Sequence, residues 1–245
     1  YLTWYRESMQ LPVENDCKLM AIIPVGDEFE LEFEQAGHRL IVKANKVVLA
    51  TGRGGFGGCH IPDFVKHLPR SVYAHTIEHI DFEKLKNKRI GIIGVGASGF
   101  DAAAVALETG AKSVDLIMRR SQLPNVNKFA SLSYQGFSHG YYKLNDEQRW
   151  KFMCAAYDAG IPPPVEALKR LEGYSNAHLH SNTSISHIRF DGSQVQIETN
   201  QGQYTYDFII LATGFYIDGY QQPELREVID HISLWRDHMP EAEVK

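Results

Sequence analysis

The chain has 245 residues, of which 44% are hydrophobic and 22% are charged, and its formal net charge is -5 at pH 7. This composition is typical of a globular protein with one large domain or two intimate ones. The small negative charge, with no long run of Lys or Arg, argues against nucleic acid or an anionic membrane as a partner. No apolar stretch reaches the ~18 to 20 residues that a membrane span needs.

The cysteines and histidines do not predict a metal site. Cys17, Cys59 and Cys154 lie far apart and form no Cys-x-x-Cys pair. An odd number of separated cysteines favours a reducing, cytoplasmic location. His75 and His79 lie four positions apart, but no third ligand of suitable spacing is near them. We therefore expect no bound metal.

In the first quarter of the chain, the first part of residues 1–24 predicts a helix and connector, and a β-meander is predicted from Glu28. Apolar and polar residues alternate over Phe29–Phe33 and again over His38–Lys43. The continuous apolar run Lys46–Ala50 then predicts a buried strand. The glycine-rich residues 53–58 that follow predict a loop.

A strand, a glycine turn, a helix and a second strand follow one another in the middle of the chain. Residues 59–87 contain prolines and histidines and are interpreted as a connector. The apolar run up to Ile93 predicts a strand, the small residues after Ser98 predict a helix with Gly110 as its C-cap, and Val114–Met118 predicts a strand. This βαβ pattern predicts a parallel sheet with a right-handed crossover.

The second half of the chain is less regular until it repeats the earlier theme. One helix is predicted over Asp146–Asp158 and another after Pro164. His178 and His180 alternate on a predicted strand and are interpreted as solvated surface. Three short alternating segments and a final apolar strand follow, at Ile185–Phe190, Gln194–Thr199, Gln203–Tyr206 and from Asp207 to Gly214.

The segment Gly94-Val-Gly96-Ala97-Ser98-Gly99 is a candidate phosphate-binding turn. In such a turn, the first glycine permits the tight bend, the second lets the backbone approach a pyrophosphate, and the third lets helix and strand pack closely. The N–H groups and the positive dipole end of the helix then face the phosphates. A simple tight β-to-α turn is the alternative, but the preceding strand and following helix favour dinucleotide binding.

Arg119 and Arg120 end the next strand, twenty positions after Gly99. An acidic residue at this place binds the ribose 2′-OH of NAD, whereas an arginine accommodates the 2′-phosphate of NADP. NADPH is therefore the expected cofactor. We expect one arginine to contact the phosphate and the other to stack on adenine; the alternative is that both merely solvate a loop.

Two Ala-Thr-Gly segments, Ala50-Thr51-Gly52 and Ala212-Thr213-Gly214, each end a predicted buried strand. They contain no strong acid, base or nucleophile, so their small residues suggest close backbone approach to a ligand at the carboxyl edge of a sheet. For either segment alone, the alternative is that its small residues only allow close packing within the protein. The occurrence of two such segments at the ends of two predicted strands favours ligand binding. No Ser/His/Asp or Cys/His set supports hydrolase chemistry.

With these motifs in place, almost the whole chain resembles the flavin-dependent, NADPH-using monooxygenases: flavin-containing monooxygenases, Baeyer–Villiger enzymes and N-hydroxylases. The matching parts are Val47–Gly52, Gly94–Gly99 with the two arginines, and Phe208–Phe215. The resemblance implies an α/β fold of two Rossmann-like, three-layer modules with β-meanders, the second inserted in the first, which is incomplete. It places the remainder of an FAD domain at 1–70, an inserted NADPH domain at 71–206, and the return to the FAD domain at 207–245.

Two features depart from that family. Its members open with an FAD-binding strand and a separate Gly-x-Gly-x-x-Gly turn, which does not precede Tyr1, so we interpret the chain as a piece of a longer protein or as lacking its first residues. The family's linker motif Phe-x-Gly-x-x-x-His maps onto Tyr73 to His79. This chain keeps the histidine at His79 and has Tyr73 for the phenylalanine and His75 for the glycine.

The resemblance implies an oxidoreductase in which NADPH reduces FAD and the reduced flavin, with oxygen, oxygenates a small organic substrate. FAD would be held mainly by a part that precedes Tyr1. An NADPH-dependent flavin reductase without oxygenation and a non-catalytic NADPH-binding fragment remain as alternatives. The sequence identifies no catalytic residue and no particular substrate, and it leaves the oligomeric state open, a homo-oligomer included.

Overall fold

The computed structural model describes residues 1–52 and 54–239, so Arg53 of the glycine-rich loop and residues 240–245 lie outside the described part. The described residues divide into two compact units. Tyr1–Gly58 and Phe215–Asp237 form the first, here called the flanking unit; Cys59–Gly214 forms most of the second, here called the insertion unit. The division falls beside Gly58 and Gly214, and the expected domain ranges 1–70, 71–206 and 207–245 stay a prediction.

Strands and helices alternate in the insertion unit, whereas strands dominate the flanking unit. The strands are β1 Cys17–Val25, β2 Glu28–Gln35, β3 His38–Ala44, β4 Gly57–Cys59, β5 Tyr73–His75, β6 Arg89–Ile93, β7 Ser113–Ile117, β8 Ala177–His180, β9 Ile185–Phe190, β10 Val195–Thr199, β11 Gly202–Tyr206, β12 Phe208–Leu211 and β13 Phe215–Ile217. The α-helices are α1 Leu2–Ser8, α2 Ala97–Glu108, α3 Gln135–Gly140, α4 Asp146–Ala159, α5 Val165–Leu171 and α6 Trp235–His238. Short 3-10 helices lie at Asp63–Val65, Arg70–Val72, Phe82–Leu85, Lys128–Ser133, Tyr141–Lys143, Gly219–Gln221, Pro223–Leu225 and Ile229–His231.

Five parallel strands form the central sheet of the insertion unit, in the order β5-β12-β6-β7-β8. On one face, Ile92 and Leu116 are buried with Ala103 and Ala106 of α2. Because alanine has a small side chain, the helix can pack close to the strands. The predicted strand–turn–helix–strand pattern is confirmed, as is its parallel pairing.

The opposite face of the central sheet is covered by the antiparallel meander β9-β10-β11. Tyr206 ends the meander, and its ring lies against Gly91 of β6, where an added Cβ would stand 2.7 Å from a ring carbon. Glycine at that position therefore lets the meander close onto the sheet. Helix, parallel sheet and meander make the three layers that the resemblance implied.

The interpretation of residues 59–87 as a connector is incomplete. Tyr73–His75 forms β5, which pairs in parallel with β12 and makes one edge of the central sheet. A three-residue strand is too short to show a hydrophobic period, and its pairing depends on a strand about 135 residues later in the chain. β12 lies in the insertion unit because it pairs with both β5 and β6.

The flanking unit contains both predicted meander strands, as β2 and β3, and a third strand, β1, that the sequence analysis did not predict. Ile22 of β1 is buried with Leu225 and Val228. The predicted strand at Lys46–Ala50 is wrong: these residues are irregular, and Val48 is 86% exposed. A strand needs a neighbour to pair its backbone groups. In the part of the chain that the structure describes, no strand pairs with these residues.

Candidate functional site

The carboxyl ends of three central strands open onto one cavity in the insertion unit. β6, β7 and β12 end at Ile93, Ile117 and Leu211. The residues that follow these strands line a cavity of about 410 Å³, with Gly94, Val95, Arg119, Arg120, Ala212 and Thr213 among them. Open α/β sheets bind ligands at this edge. The fold thus brings the glycine turn, the arginine pair and the second Ala-Thr-Gly segment to one place.

The three glycines of the turn differ in what surrounds them. Gly94 has φ +105°, and a Cβ there would lie 2.3 Å from the carbonyl oxygen of Ala212. A Cβ on Gly99 would lie 2.4 Å from the carbonyl oxygen of Gly94. No atom lies within 4 Å of a Cβ added to Gly96. The first and third glycines therefore serve the tight bend and the packing, and the second leaves its backbone open to a ligand.

The first turn of α2 offers free hydrogen-bond donors. Gly96, Ala97 and Ser98 are exposed, and no side chain caps the helix. The N–H groups of Gly99 and Phe100 bond to the carbonyl of Gly96. Within the described residues, the N–H groups of Ala97 and Ser98 have no acceptor. Such donors at the positive end of the helix dipole favour an anionic group.

The structure separates the roles of the two arginines. Arg120 donates from Nη2 to the carbonyl of Asp158 at 3.1 Å and from Nη1 to that of Ala159 at 3.2 Å. Its guanidinium thus satisfies the last carbonyls of α4, which intrahelical bonds leave without partners. Among the described residues, no hydrogen bond or ion pair engages Arg119, which is exposed at the cavity. Within the described residues, the five N–H donors of Arg119 are therefore available to an anion, whereas two of the five on Arg120 already donate to carbonyls.

Backbone hydrogen bonds hold the segment after β12 in place. The N–H of Ala212 donates to the carbonyl of Ile93 at 2.9 Å, which joins the ends of β12 and β6. The hydroxyl of Thr213 donates to the carbonyl of His60, and the N–H of His60 donates to the carbonyl of Gly214 at 2.9 Å. The carbonyl of Ala212 contacts the Gly94 turn, which is a packing role, and the approach of this segment to a ligand stays a prediction.

His75, at the end of β5, is a fully buried histidine beside this segment. Its Nε2 lies 3.0 Å from the carbonyl oxygen of Gly214, and the N–H of Ile77 donates to its Nδ1 at 3.2 Å. Burial lowers the pKa of the imidazole below its ordinary value. Both ring nitrogens are engaged within the protein, which leaves neither of them to bind a metal.

The first Ala-Thr-Gly segment is built differently from the second. Ala50, Thr51 and Gly52 are exposed and do not end a strand. Gly52 has φ +74° and begins a turn in which the N–H of Gly55 donates to its carbonyl at 3.2 Å. These three residues belong to the flanking unit, so the two segments are not structural equivalents.

The interpretation of His180 as solvated surface is wrong, whereas His178 is exposed. The Nε2 of His180 lies 2.6 Å from Oδ1 of Asp115, and its Nδ1 lies 3.3 Å from the hydroxyl of Tyr204. Parallel pairing of β7 with β8 puts Asp115 and His180 on the same face of the sheet, and the meander supplies Tyr204. A strand pattern read in isolation cannot show this partner.

Several cavity residues were missed by the sequence analysis, among them His60, Thr183 and Ser184. Thr183 is buried, and its N–H donates to the carbonyl of Met118 at 2.9 Å. A signal for the last two was present, since Ser181-Asn-Thr-Ser184 directly follows the predicted strand with His178 and His180. Polar residues after a parallel strand lie at the ligand-binding edge.

In residues 1–52 and 54–239, no three His, Cys, Asp or Glu side chains are grouped so as to hold a metal ion. None of the described helices is long and apolar enough to cross a membrane.

Comparison with known proteins connects this site to flavoenzymes. Residues 1–217 match the family described as L-lysine 6-monooxygenase/L-ornithine 5-monooxygenase. An FAD-dependent urate hydroxylase from Xanthomonas campestris pv. campestris is 32% identical over 244 residues, which are 97% of this chain and 50% of that protein. The chain therefore spans half the length of this relative.

Solved structures of similar fold come from the same group of enzymes. The reduced ornithine hydroxylase of Pseudomonas aeruginosa has a TM-score of 0.72 at 17% identity, over 94% of this chain and 61% of its own. The L-lysine 6-monooxygenase of Pseudomonas syringae has a TM-score of 0.68 at 17% identity, over 93% and 59%. An ornithine N-hydroxylase of Kutzneria sp. 744, solved with reduced FAD and NADP+, has a TM-score of 0.68 at 14% identity, over 88% and 57%. At these identities, the likeness shows the fold.

Proposed function

Because the chain belongs to the L-lysine 6-monooxygenase/L-ornithine 5-monooxygenase family, we propose that its insertion unit binds NADPH for the reduction of FAD in a protein that oxygenates a small organic substrate. The observation that carries the NADPH assignment is the unengaged Arg119 beside the open glycine turn. The chain spans half the length of the urate hydroxylase. We therefore assign the oxygenation reaction to the whole protein and NADPH binding to the insertion unit.

The pyrophosphate of NADPH is placed at the start of α2. Gly96 has no atom near its missing side chain, so a phosphate can approach its backbone. The unpaired N–H groups of Ala97 and Ser98 then donate to the phosphate oxygens, and the α2 dipole adds to the attraction. Gly94 and Gly99 act indirectly, because they hold the turn against Ala212.

The 2′-phosphate of NADPH is assigned to Arg119. A guanidinium can donate two parallel hydrogen bonds to a phosphate, which NAD does not carry at this position. Arg120 supports the site by capping α4, since both of its terminal nitrogens already donate to carbonyls. The assignment keeps the expectation that one arginine contacts the phosphate, and stacking of the other on adenine stays a prediction.

FAD fits the described residues less completely than NADPH does. Gly52 has no atom within 4 Å of an added Cβ, so Ala50-Thr51-Gly52 is open to close approach by a ligand. In the described part of the flanking unit, however, no glycine turn joins a strand to a helix in the way that a second pyrophosphate requires. Bound FAD would accept the hydride and activate oxygen. We assign Ala50–Gly52 a contact with FAD.

The substrate is proposed to be a small nitrogen-containing molecule. Ornithine, lysine and urate, which appear in the names of the similar proteins, all fit this description. Reduction of a disulfide is not favoured, because Cys17, Cys59 and Cys154 are separate free thiols. Free thiols also agree with the proposed cytoplasmic location.

The NADPH assignment is tested by titrating the protein with 2′,5′-ADP and, separately, with 5′-AMP. The two probes differ at the ribose 2′ position, where only the first carries a phosphate. We expect 2′,5′-ADP to bind at least about tenfold more tightly, because a charge-assisted hydrogen bond to phosphate is one of the stronger kinds. Equal affinities would contradict the 2′-phosphate site at Arg119.

The oxygenation is tested on the full-length protein loaded with FAD. Addition of NADPH in the absence of oxygen should bleach the flavin absorbance. Addition of NADPH in the presence of oxygen should consume both NADPH and oxygen. If the flavin bleaches and no oxygen is consumed, the protein is a flavin reductase. If the flavin does not bleach although NADPH binds, the chain is a binding module and the proposed reaction is wrong.

A further inference from the structure

The carbonyl oxygen of Gly214 accepts hydrogen bonds from two distant parts of the insertion unit. The N–H of His60 donates to it at 2.9 Å, and Nε2 of His75 lies 3.0 Å from it. The hydroxyl of Thr213 donates in the opposite direction, to the carbonyl of His60. We call these four residues, His60, His75, Thr213 and Gly214, the Gly214 clamp.

The partners of the His75 ring fix where its proton resides. The N–H of Ile77 donates to Nδ1, so this nitrogen carries a lone pair. The carbonyl of Gly214 can only accept, so Nε2 carries the proton and donates it. The ring is a neutral donor of fixed orientation, and its own backbone N–H donates to the Glu78 carboxylate at 2.6 Å.

The clamp acts on the candidate NADPH site through Ala212. Gly214 directly follows Ala212 and Thr213, and both of these residues line the cavity. The carbonyl of Ala212 contacts Gly94, and a Cβ added to Gly99 would lie 3.2 Å from the Cβ of Ala212. Movement of Gly214 would therefore shift the surface against which the phosphate-binding turn is packed.

Position 75 is where the linker motif of the resembled monooxygenases has glycine. Glycine has no side chain and would leave the Gly214 carbonyl with the His60 N–H alone. The side-chain donor is therefore a feature of this chain and does not follow from the motif.

We propose that His75 is a positioning residue for dinucleotide binding, which holds the Ala212–Gly214 segment against the Gly94–Gly99 turn through its Nε2–H. This inference rests on the proposed NADPH binding. It assigns His75 no contact with the dinucleotide and no part in the chemistry. Its role is to keep the turn in the geometry that receives the pyrophosphate.

Two substitutions separate the ring's two hydrogen bonds. In His75→Gln, the amide nitrogen can occupy the place of Nε2 and donate to Gly214, while the Nδ1 acceptor is lost. In His75→Asn, the shorter amide can accept from Ile77, but it does not reach Gly214. We expect the dissociation constant for NADP+ to stay within about twofold of the parent in His75→Gln and to rise by about tenfold in His75→Asn.

His67→Asn is the matched control, because Nε2 of His67 lies at the same distance, 3.0 Å, from a different carbonyl oxygen, that of Ile188. It should leave NADP+ affinity unchanged. A second measurement needs no variant: NADP+ should slow hydrogen exchange at the Ile77 amide, which donates to the His75 ring and does not line the cavity, because a ligand and the clamp that favours it stabilise each other. This measurement decides the matter if His75→Asn does not fold.

The outcomes of these experiments distinguish the positioning role of His75 from NADPH binding itself. A parent protein that binds no NADP+ overturns NADPH binding and the role of His75 with it. A parent that binds NADP+, with equal affinities in His75→Asn and His75→Gln or with unchanged exchange at Ile77, leaves NADPH binding standing and overturns the positioning role. Loss in His75→Asn with rescue in His75→Gln supports it.

Discussion

Gly94 and Ala212 pack so closely that a Cβ on Gly94 would lie 2.3 Å from the Ala212 carbonyl oxygen. The contact joins the phosphate-binding turn after β6 to the segment after β12, the neighbouring strand in the central sheet. Two motifs more than a hundred residues apart in the chain therefore form one structural unit. Glycine is required at position 94 because any side chain there would press against the Ala212 backbone.

Substitution of Gly94 by alanine should destabilise the fold, whereas substitution of Gly96 by alanine should not. Gly94→Ala places a Cβ against backbone at a φ of +105°, so we expect it to lower the free energy of unfolding by about 1–3 kcal/mol. Gly96→Ala has open space and an ordinary φ of -75°, so it should fold like the parent.

The same pair separates folding from binding. In Gly96→Ala, the added methyl group stands where the pyrophosphate approaches, so NADP+ affinity should fall although stability does not. Urea denaturation and NADP+ titration of both variants provide the check. Parent-like binding by Gly96→Ala would show that the pyrophosphate does not lie at this turn.

Arg120→Ala should loosen the C-terminal end of α4. The substitution removes the donors to the carbonyls of Asp158 and Ala159. We expect faster hydrogen exchange in the last turn of α4 and a loss of stability of about 1 kcal/mol or less, because the arginine is exposed. Arg119→Ala is the control and should leave exchange in α4 unchanged. Equal exchange in both variants would mean that Arg120 does not cap the helix.

The stability of the protein should depend on pH through His75. Burial holds the pKa of its imidazole below the ordinary value of 6.5, while the Glu78 carboxylate raises that pKa and His60 lowers it. Below pH 6.5 the unfolded chain takes up a proton that the folded ring resists, so the free energy of unfolding falls as the pH falls.

His75→Gln isolates this contribution from the other ten histidines. The free energy of unfolding of the parent should fall more steeply than that of the variant between about pH 7.5 and about pH 5. Chemical denaturation across this range measures both slopes. Parallel slopes would indicate that the folded ring of His75 takes up protons as readily as an exposed one.

Local sequence signals were sufficient for the centre of the insertion unit. β6, the glycine turn, α2 and β7 follow one another within about thirty residues, and each has its own periodicity or capping signal. Glycine spacing also predicted the turn's three roles, which the different surroundings of Gly94, Gly96 and Gly99 support. These elements could be predicted from the sequence because the residues that they pair or pack with are close in the chain.

Features that depend on distant partners could not be predicted in the same way. Lys46–Ala50 has the apolar run of a buried strand, but no described strand pairs with it. The hydrogen bond of His180 joins it to Asp115, which lies 65 residues earlier in the chain. Arg119 and Arg120 are equivalent in sequence terms, and only the end of α4, nearly forty residues later, makes them different.

If Arg119 receives the 2′-phosphate of NADPH, the ratio of NADP+ to NAD+ affinity should depend on this arginine, which can be measured in three proteins. The parent should prefer NADP+. Arg119→Ala should lose about 10- to 100-fold in NADP+ affinity with little change for NAD+, while Arg120→Ala should keep most of the preference. A preference that survives in Arg119→Ala, or that disappears only in Arg120→Ala, would contradict the assignment.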